Sequence, residues 1–201
     1  MTHVTTHIRR AICIDDATGR TLLGFARATI AEAMGGPAAQ HPKGGDFDAP
    51  AATFVTLHRS GRLHGCIGSL EPRRTLASDV YGNTRAAAFE DPRCTPIALR
   101  DVVSMDVEIS VLSPFTPITF DTEADAAAAL RPGVDGVFLR WGAYRGTFLP
   151  QVWDDLPAAG EFLRQLKLKA GLRADFWAPD VHLDRYTVQK FVDASHEHGP
   201  P

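Results

Sequence analysis

Apolar residues first recur at helical spacing between positions 22 and 34. Leu22, Leu23, Ala26, Ile30 and Met34 fall on one side of a helix that opens at Asp15-Asp16-Ala17-Thr18 and is stopped by Gly35-Gly36-Pro37. From there to Pro50 the chain is rich in Gly, Pro, Asp and Ala without periodicity, which predicts a long surface loop. Thr53 to His58 is β-branched and aromatic. Ser60-Gly61 suits a two-residue hairpin turn, and Arg62 to Leu70 is the returning strand. Apolar residues on both sides of this ribbon predict a place inside a sheet with two covered faces.

A helix over Thr75 to Phe89 follows, with Leu76, Val80, Tyr81, Thr84 and Ala87 on its buried stripe. Asp91-Pro92-Arg93 ends it, since proline cannot continue the hydrogen-bond ladder. Met105, Val107, Ile109 and Val111 alternate with Ser104, Asp106, Glu108 and Ser110, a strand with one polar face. Asp121 to Leu130 reads as a short helix, and Val134 to Trp141 with Tyr144 to Leu149 as a second strand pair joined near Gly142. Residues 158–170 read as a helix stopped by Gly171, and Val181 to Val192 as the last strand. Strands thus come in hairpins with helices between them. That pattern predicts an α+β fold with largely antiparallel or mixed sheets and helices packed on them, and not a doubly wound one.

Composition narrows this picture little. The 201 residues, 44% hydrophobic and 22% charged, suit one large domain or two small packed lobes. Twenty-one basic against 24 acidic residues, a net charge of -3, and no aromatic-basic motif put nucleic-acid binding last among the possible functions. No apolar run approaches the ~20 residues of a membrane span, and Ala11 to Ile14 is too short for a signal-peptide core, so a cytoplasmic setting is expected. Gly-rich nucleotide loops, HExxH and GxSxG are all missing, and no cofactor is named by any motif. Cys13, Cys66 and Cys94 lie far apart, which excludes a disulfide framework and predicts no metal knuckle.

The most constrained segment is Leu63-His64-Gly65-Cys66-Ile67-Gly68. Two glycines in a strand mark a bulge or the close approach of another backbone or ligand. Strict alternation puts His64 and Cys66 on one face. With Ser60-Gly61 as the turn, Leu57 would oppose His64 and Val55 would oppose Cys66. One reading is a reactive thiol with a histidine base. The other is a small buried hydrophobe, favoured by the apolar neighbours, which would raise the thiol pKa.

This segment resembles the Leu-Arg-Gly-Cys-Ile-Gly hallmark of the AmmeMemoRadiSam system protein A family, the AMMECR-type domain. Ala87-Ala88-Phe89-Glu90-Asp91-Pro92-Arg93, Glu108-Ile109-Ser110-Val111-Leu112-Ser113, Arg145-Gly146-Thr147-Phe148-Leu149-Pro150-Gln151-Val152, Lys169-Ala170-Gly171-Leu172 and Tyr186 follow in matching order. Two positions depart from the pattern. His64 stands for the hallmark arginine, and Cys94 for the aromatic that follows Asp-Pro-Arg. The chain ends read as an arm over 1–11 and a flexible tail over 193–201, and the resemblance implies a two-lobed domain over 12–192 between them. It also implies a shared pathway with Memo-like, dioxygenase-related proteins and with radical-SAM proteins.

The preferred function is an enzyme or enzyme-accessory subunit in a small-molecule pathway. Cys66 would be nucleophile or ligand, His64 an acid-base group and Glu108 a second proton carrier or orienter. Arg145 would clamp an anion of the substrate, because a guanidinium binds carboxylate or phosphate bidentately, and Gln151 would hydrogen-bond in the pocket. Asp91 and Arg93 are further substrate-binding candidates, with a local cap and ion pair as their plainer role. The alternative is a non-catalytic scaffold that docks a Memo-like partner, with Trp177 and residues 36–50 as its surface.

Overall fold

In the computed structural model, which describes residues 14–193, Asp15 caps the first helix by accepting the Thr18 N–H, and α1 runs Asp16–Ala33. A single turn of 3-10 helix, Gly45–Asp48, and a two-residue strand β1 (Pro50–Ala51) follow in the expected loop. Next come β2 (Thr53–Arg59), β3 (Arg62–Gly68), β4 (Arg74–Thr75) and α2 (Leu76–Phe89), with Thr75 as the α2 cap. A 3-10 turn at Leu99–Ser104 leads into β5 (Met105–Leu112). The remaining elements are β6 (Thr116–Pro117), α3 (Glu123–Ala129), β7 (Gly136–Trp141), β8 (Tyr144–Phe148), α4 (Ala159–Lys169), β9 (His182–Tyr186) and β10 (Val188–Val192). The α+β class with antiparallel sheets is as the pattern predicts.

The described residues divide into two compact units, one formed by residues 14–112 together with 189–193, the other by Ser113–Val188. The first unit holds a four-stranded sheet in the order β10-β5-β2-β3. Its core joins Leu22, Phe25 and Ile30 of α1 and Leu76 and Val80 of α2 to Val55, Leu57, Val107 and Ile109 on one sheet face. Each such side chain contributes about 1.5–3 kcal/mol by leaving water. The second unit holds a sheet in the order β6-β9-β7-β8. There Val137, Leu139 and Leu183 pack with Phe162, Leu163 and Leu166 of α4, and Trp153 stacks on Phe162 at 3.8 Å.

Three expectations are corrected. The β2–β3 ribbon is not enclosed by other strands, because β3 is a sheet edge. Its faces are also unequal: Thr53, Val55 and Leu57 are buried, while Phe54, Thr56 and His58 are half-buried. The last strand is two strands, separated at Thr187, where the chain passes from one sheet to the other; Thr187 exchanges hydrogen bonds of 2.9 Å with Ser113 through both main-chain groups. The expected tail begins too early, since Asp193 is tied down by the Arg27 guanidinium and by its N–H to the Val107 carbonyl. The arm 1–11, Cys13 and the rest of the tail lie outside the described residues.

Candidate functional site

The Cys66 strand owes its geometry to its turn. Ser60 and Gly61 have φ of 52° and 72°, the left-handed pair of a type I′ turn, and Arg59 pairs with Arg62. His58 pairs with Leu63, but Leu57 then pairs with Gly65, so one extra residue is inserted in β3 at His64. This bulge shifts the register by one, and Cys66 lies opposite Thr56 and not Val55.

The shift separates the two residues that strict alternation would place together. His64 is buried, with Nε2 3.1 Å from the Ala88 carbonyl oxygen of α2. Gly65 faces the same helix, where a Cβ would come within 2.0 Å of the Ala87 carbonyl oxygen. That is the close backbone approach which the glycines predict. Cys66 is half-buried on the opposite sheet face, so His64 is not placed as its base. Gly68 serves a second close approach: the Phe54 ring lies over it, and a Cβ would sit 2.3 Å from ring carbon.

On the Cys66 face a row crosses the sheet. Thr56 Oγ1 donates to Cys66 Sγ at 3.3 Å. Thr56 pairs in turn with Glu108 of β5, whose carboxylate is 2.7 Å from Lys190 Nζ of β10. Thiol, hydroxyl, carboxylate and ammonium thus stand on four adjacent strands. Glu108 lies on the predicted polar face, but its side chain is only 14% exposed and ion-paired, so it is not a freely solvated carboxylate.

Asp91 and Arg93 hold the free edge of β3. One Asp91 oxygen accepts the Cys66 N–H at 2.8 Å and Arg93 Nη2 at 2.6 Å; the other accepts the Arg93 N–H and Nε, both at 2.9 Å. Arg93 Nη2 also lies 3.5 Å from the Cys66 carbonyl oxygen. The guanidinium bonds and those from two main-chain N–H groups hold the buried carboxyl well below the usual carboxylate range. All four of these bonds are made within the chain, which gives Asp91 a positioning role. Cys94, two residues after Pro92, turns its thiol to the Ala87 carbonyl oxygen at 3.2 Å, and burial pushes its pKa up.

Arg145 and Gln151 belong to the second unit. Arg145 is exposed on β8, opposite Arg140, and Gln151 is half-buried in the 3-10 turn Pro150–Asp154. Trp177 is half-buried against Phe120, with Lys167 Nζ 5.9 Å from its ring centre. Among the described residues no three His, Cys, Asp or Glu side chains are grouped to hold a metal ion. No helix among them is long and apolar enough to cross a membrane.

Sequence reasoning missed a buried network beside this site. Asp79 Oδ2 accepts the Thr53 N–H and hydroxyl, the Ser69 hydroxyl and Asn83 Nδ2, all within 2.9 Å. Its other oxygen takes Arg74 Nε at 3.0 Å, and Arg74 also donates to Asn83 Oδ1. Together they join β2, the end of β3, β4 and α2. The available signal was the spacing of Asp79 and the chain's single asparagine, Asn83, one helical turn apart within an apolar stripe.

The AMMECR1 family model matches residues 23–191. A protein of Methanothermobacter thermautotrophicus is 37% identical over 192 residues, covering 90% of this chain and 95% of its own length. Protein MJ0810 of Methanocaldococcus jannaschii is 36% identical over 155 residues, covering 73% of this chain and 75% of its own. Among solved structures, the uncharacterized protein PH0010 from Pyrococcus horikoshii superposes with a TM-score of 0.82 at 31% identity, covering 93% of this chain and 96% of that one.

Proposed function

The chain belongs to the AMMECR1 family, and on that premise we propose that it is an enzyme or enzyme-accessory subunit that handles a small molecule through the Cys66 thiol. It would act in the cytoplasm, in the pathway of Memo-like and radical-SAM proteins that the AmmeMemoRadiSam resemblance implies. The observation that carries this reading is the polar row itself. A half-buried thiol accepts a hydroxyl hydrogen bond, has a carboxylate–ammonium pair beyond it, and sits on a main chain pinned by Asp91 and Arg93. Buried polar groups are costly, and such a constellation on one sheet face is how a fixed binding site is built. His64 takes no part in the reading, since the bulge turns it to α2.

Iodoacetamide labelling followed by peptide mass spectrometry tests it. The thiolate sulfur attacks the methylene carbon, a C–S bond forms as C–I breaks, iodide leaves and the thiol proton goes to solvent. Cys66 should label in the native protein well ahead of Cys94, whose thiol is disfavoured as thiolate by burial. A native Cys66 as inert as Cys94, with both labelling once the chain is unfolded, would show a packing cysteine and sink the reading.

A second reading, a scaffold that docks a Memo-like partner, is supported by Leu63, Phe89, Leu99 and Val103 of the first unit. All four are exposed, and Val103 is 81% so. Co-purification with a Memo-like protein at micromolar concentration, lost on Val103→Asp, would favour it.

A further inference from the structure

We infer that Thr56 is a positioning residue which sets the reactivity of Cys66 by holding a hydroxyl donor on its sulfur. The inference rests on the thiol reading above and deepens it. Thr56 is absent from every motif that marks the site, and its place depends on the bulge at His64. Without that extra residue Val55 would oppose Cys66; with it, Thr56 does. Its Oγ1 then donates to Sγ at 3.3 Å, within the range of an O–H···S hydrogen bond.

The chemistry follows from which protonation state the bond favours. A hydroxyl donor is accepted more strongly by a thiolate than by a thiol, because the acceptor then carries a full charge. Losing the donor therefore lowers the thiolate fraction at neutral pH. Threonine fits this task on a strand: its branched Cβ restricts χ1, so the hydroxyl is held on one side of the residue. The charged groups around the pair are Asp91 and Arg93 at the β3 edge, Glu108 on β5 with Lys190 on β10, and His58 two residues along β2 on the same face. Four of these form two ion pairs, Asp91 with Arg93 and Glu108 with Lys190. The uncharged donor is thus the sulfur's direct hydrogen-bonding contact in the row.

The rate of Cys66 alkylation by iodoacetamide, followed from pH 6 to pH 10 in the full chain, tests the role. Thr56→Val keeps the shape and removes the hydroxyl; Thr56→Ser keeps the hydroxyl and loses the methyl. The expected result is an upward shift of the pH midpoint in the valine variant, with labelling at pH 7.5 slowed about three- to tenfold, the factor for one hydrogen bond. The plateau rate at high pH should be unchanged, and the serine variant should restore the midpoint. A merely structural role would alter the plateau and the labelling of Cys94 and leave the midpoint in place. A valine midpoint equal to the wild type, or a serine variant that fails to restore it, overturns the role of Thr56 while the thiol reading stands. A wild-type Cys66 unlabelled across the whole range overturns both.

Discussion

The main-chain N–H of Cys66 donates to the carboxylate of Asp91 across 25 positions of sequence, at 2.8 Å, where a neighbouring strand would otherwise pair. With Arg93 beside the Cys66 carbonyl oxygen, two side chains occupy the donor and the acceptor of an edge strand. This blunts an edge that would otherwise recruit another chain. It also fixes the peptide on which the thiol is carried.

Asp91→Ala should therefore destabilise the fold by about 2–4 kcal/mol, since it removes a buried charged acceptor and leaves the Cys66 N–H unsatisfied. Urea unfolding at pH 7 reads this. Because the folded carboxyl is held below its ordinary value, its contribution is fully present above about pH 4 and fades as pH falls toward the folded value. The wild type should lose stability in that window, and the variant should show a flatter acid limb. A wild-type stability in the alanine variant would reduce Asp91 to an ornament of the turn.

Gly65→Ala should be among the most damaging single substitutions in the chain. The added Cβ would stand 2.0 Å from the Ala87 carbonyl oxygen, and a helix backbone cannot yield as a flexible side chain can. A loss of about 3 kcal/mol or more is expected, or failure to fold. Gly24→Ala on α1 is the control: nothing lies within 4 Å of its Cβ, and alanine suits a helix better. Equal thermal midpoints for the two variants would contradict the close approach.

Asp79→Ala should cost more than an average surface change, about 3 kcal/mol, because it strands the Thr53 N–H and the Ser69 hydroxyl and leaves Arg74 without its ion pair. Circular dichroism during thermal unfolding measures it. A shift of less than 1 °C would show the network to be dispensable.

Alkaline stability should depend on Tyr186. Its ring is 1% exposed, its hydroxyl bonds Thr147 at 2.7 Å and the Phe148 carbonyl at 3.1 Å, and burial pushes its pKa up to about 12. A raised folded value means stability is intact below the unfolded value near pH 10 and is lost as pH rises toward 12. The total loss from this group is roughly 2–3 kcal/mol at two pH units. Tyr186→Phe should start slightly less stable at pH 7 and show no such decline; identical alkaline limbs would exclude the assignment.

The helices were legible because amphipathic spacing and stop signals are local. Asp15 and Gly35 delimit α1 within two residues of its ends, and Pro92 stands three residues past the end of α2. The β5 alternation was legible for the same reason, as was the turn at Ser60-Gly61, which needs left-handed backbone. The break of the last strand at Thr187 was not, because no glycine or proline marks it and only the sheet each side joins tells them apart.

The site shows the same division. From local chemistry alone came Cys66 between its glycines and Glu108 on a polar face; the family came from the resemblance of ordered motif blocks. The tertiary structure decided which residues meet. One inserted residue at His64 turned the histidine to α2 and put Thr56, not Val55, against the thiol, while Asp91 and Asp79 found main-chain partners more than 20 positions away. A strand's side-chain period is two, so a slip of one residue reverses every face, and nothing local in the sequence records such a slip.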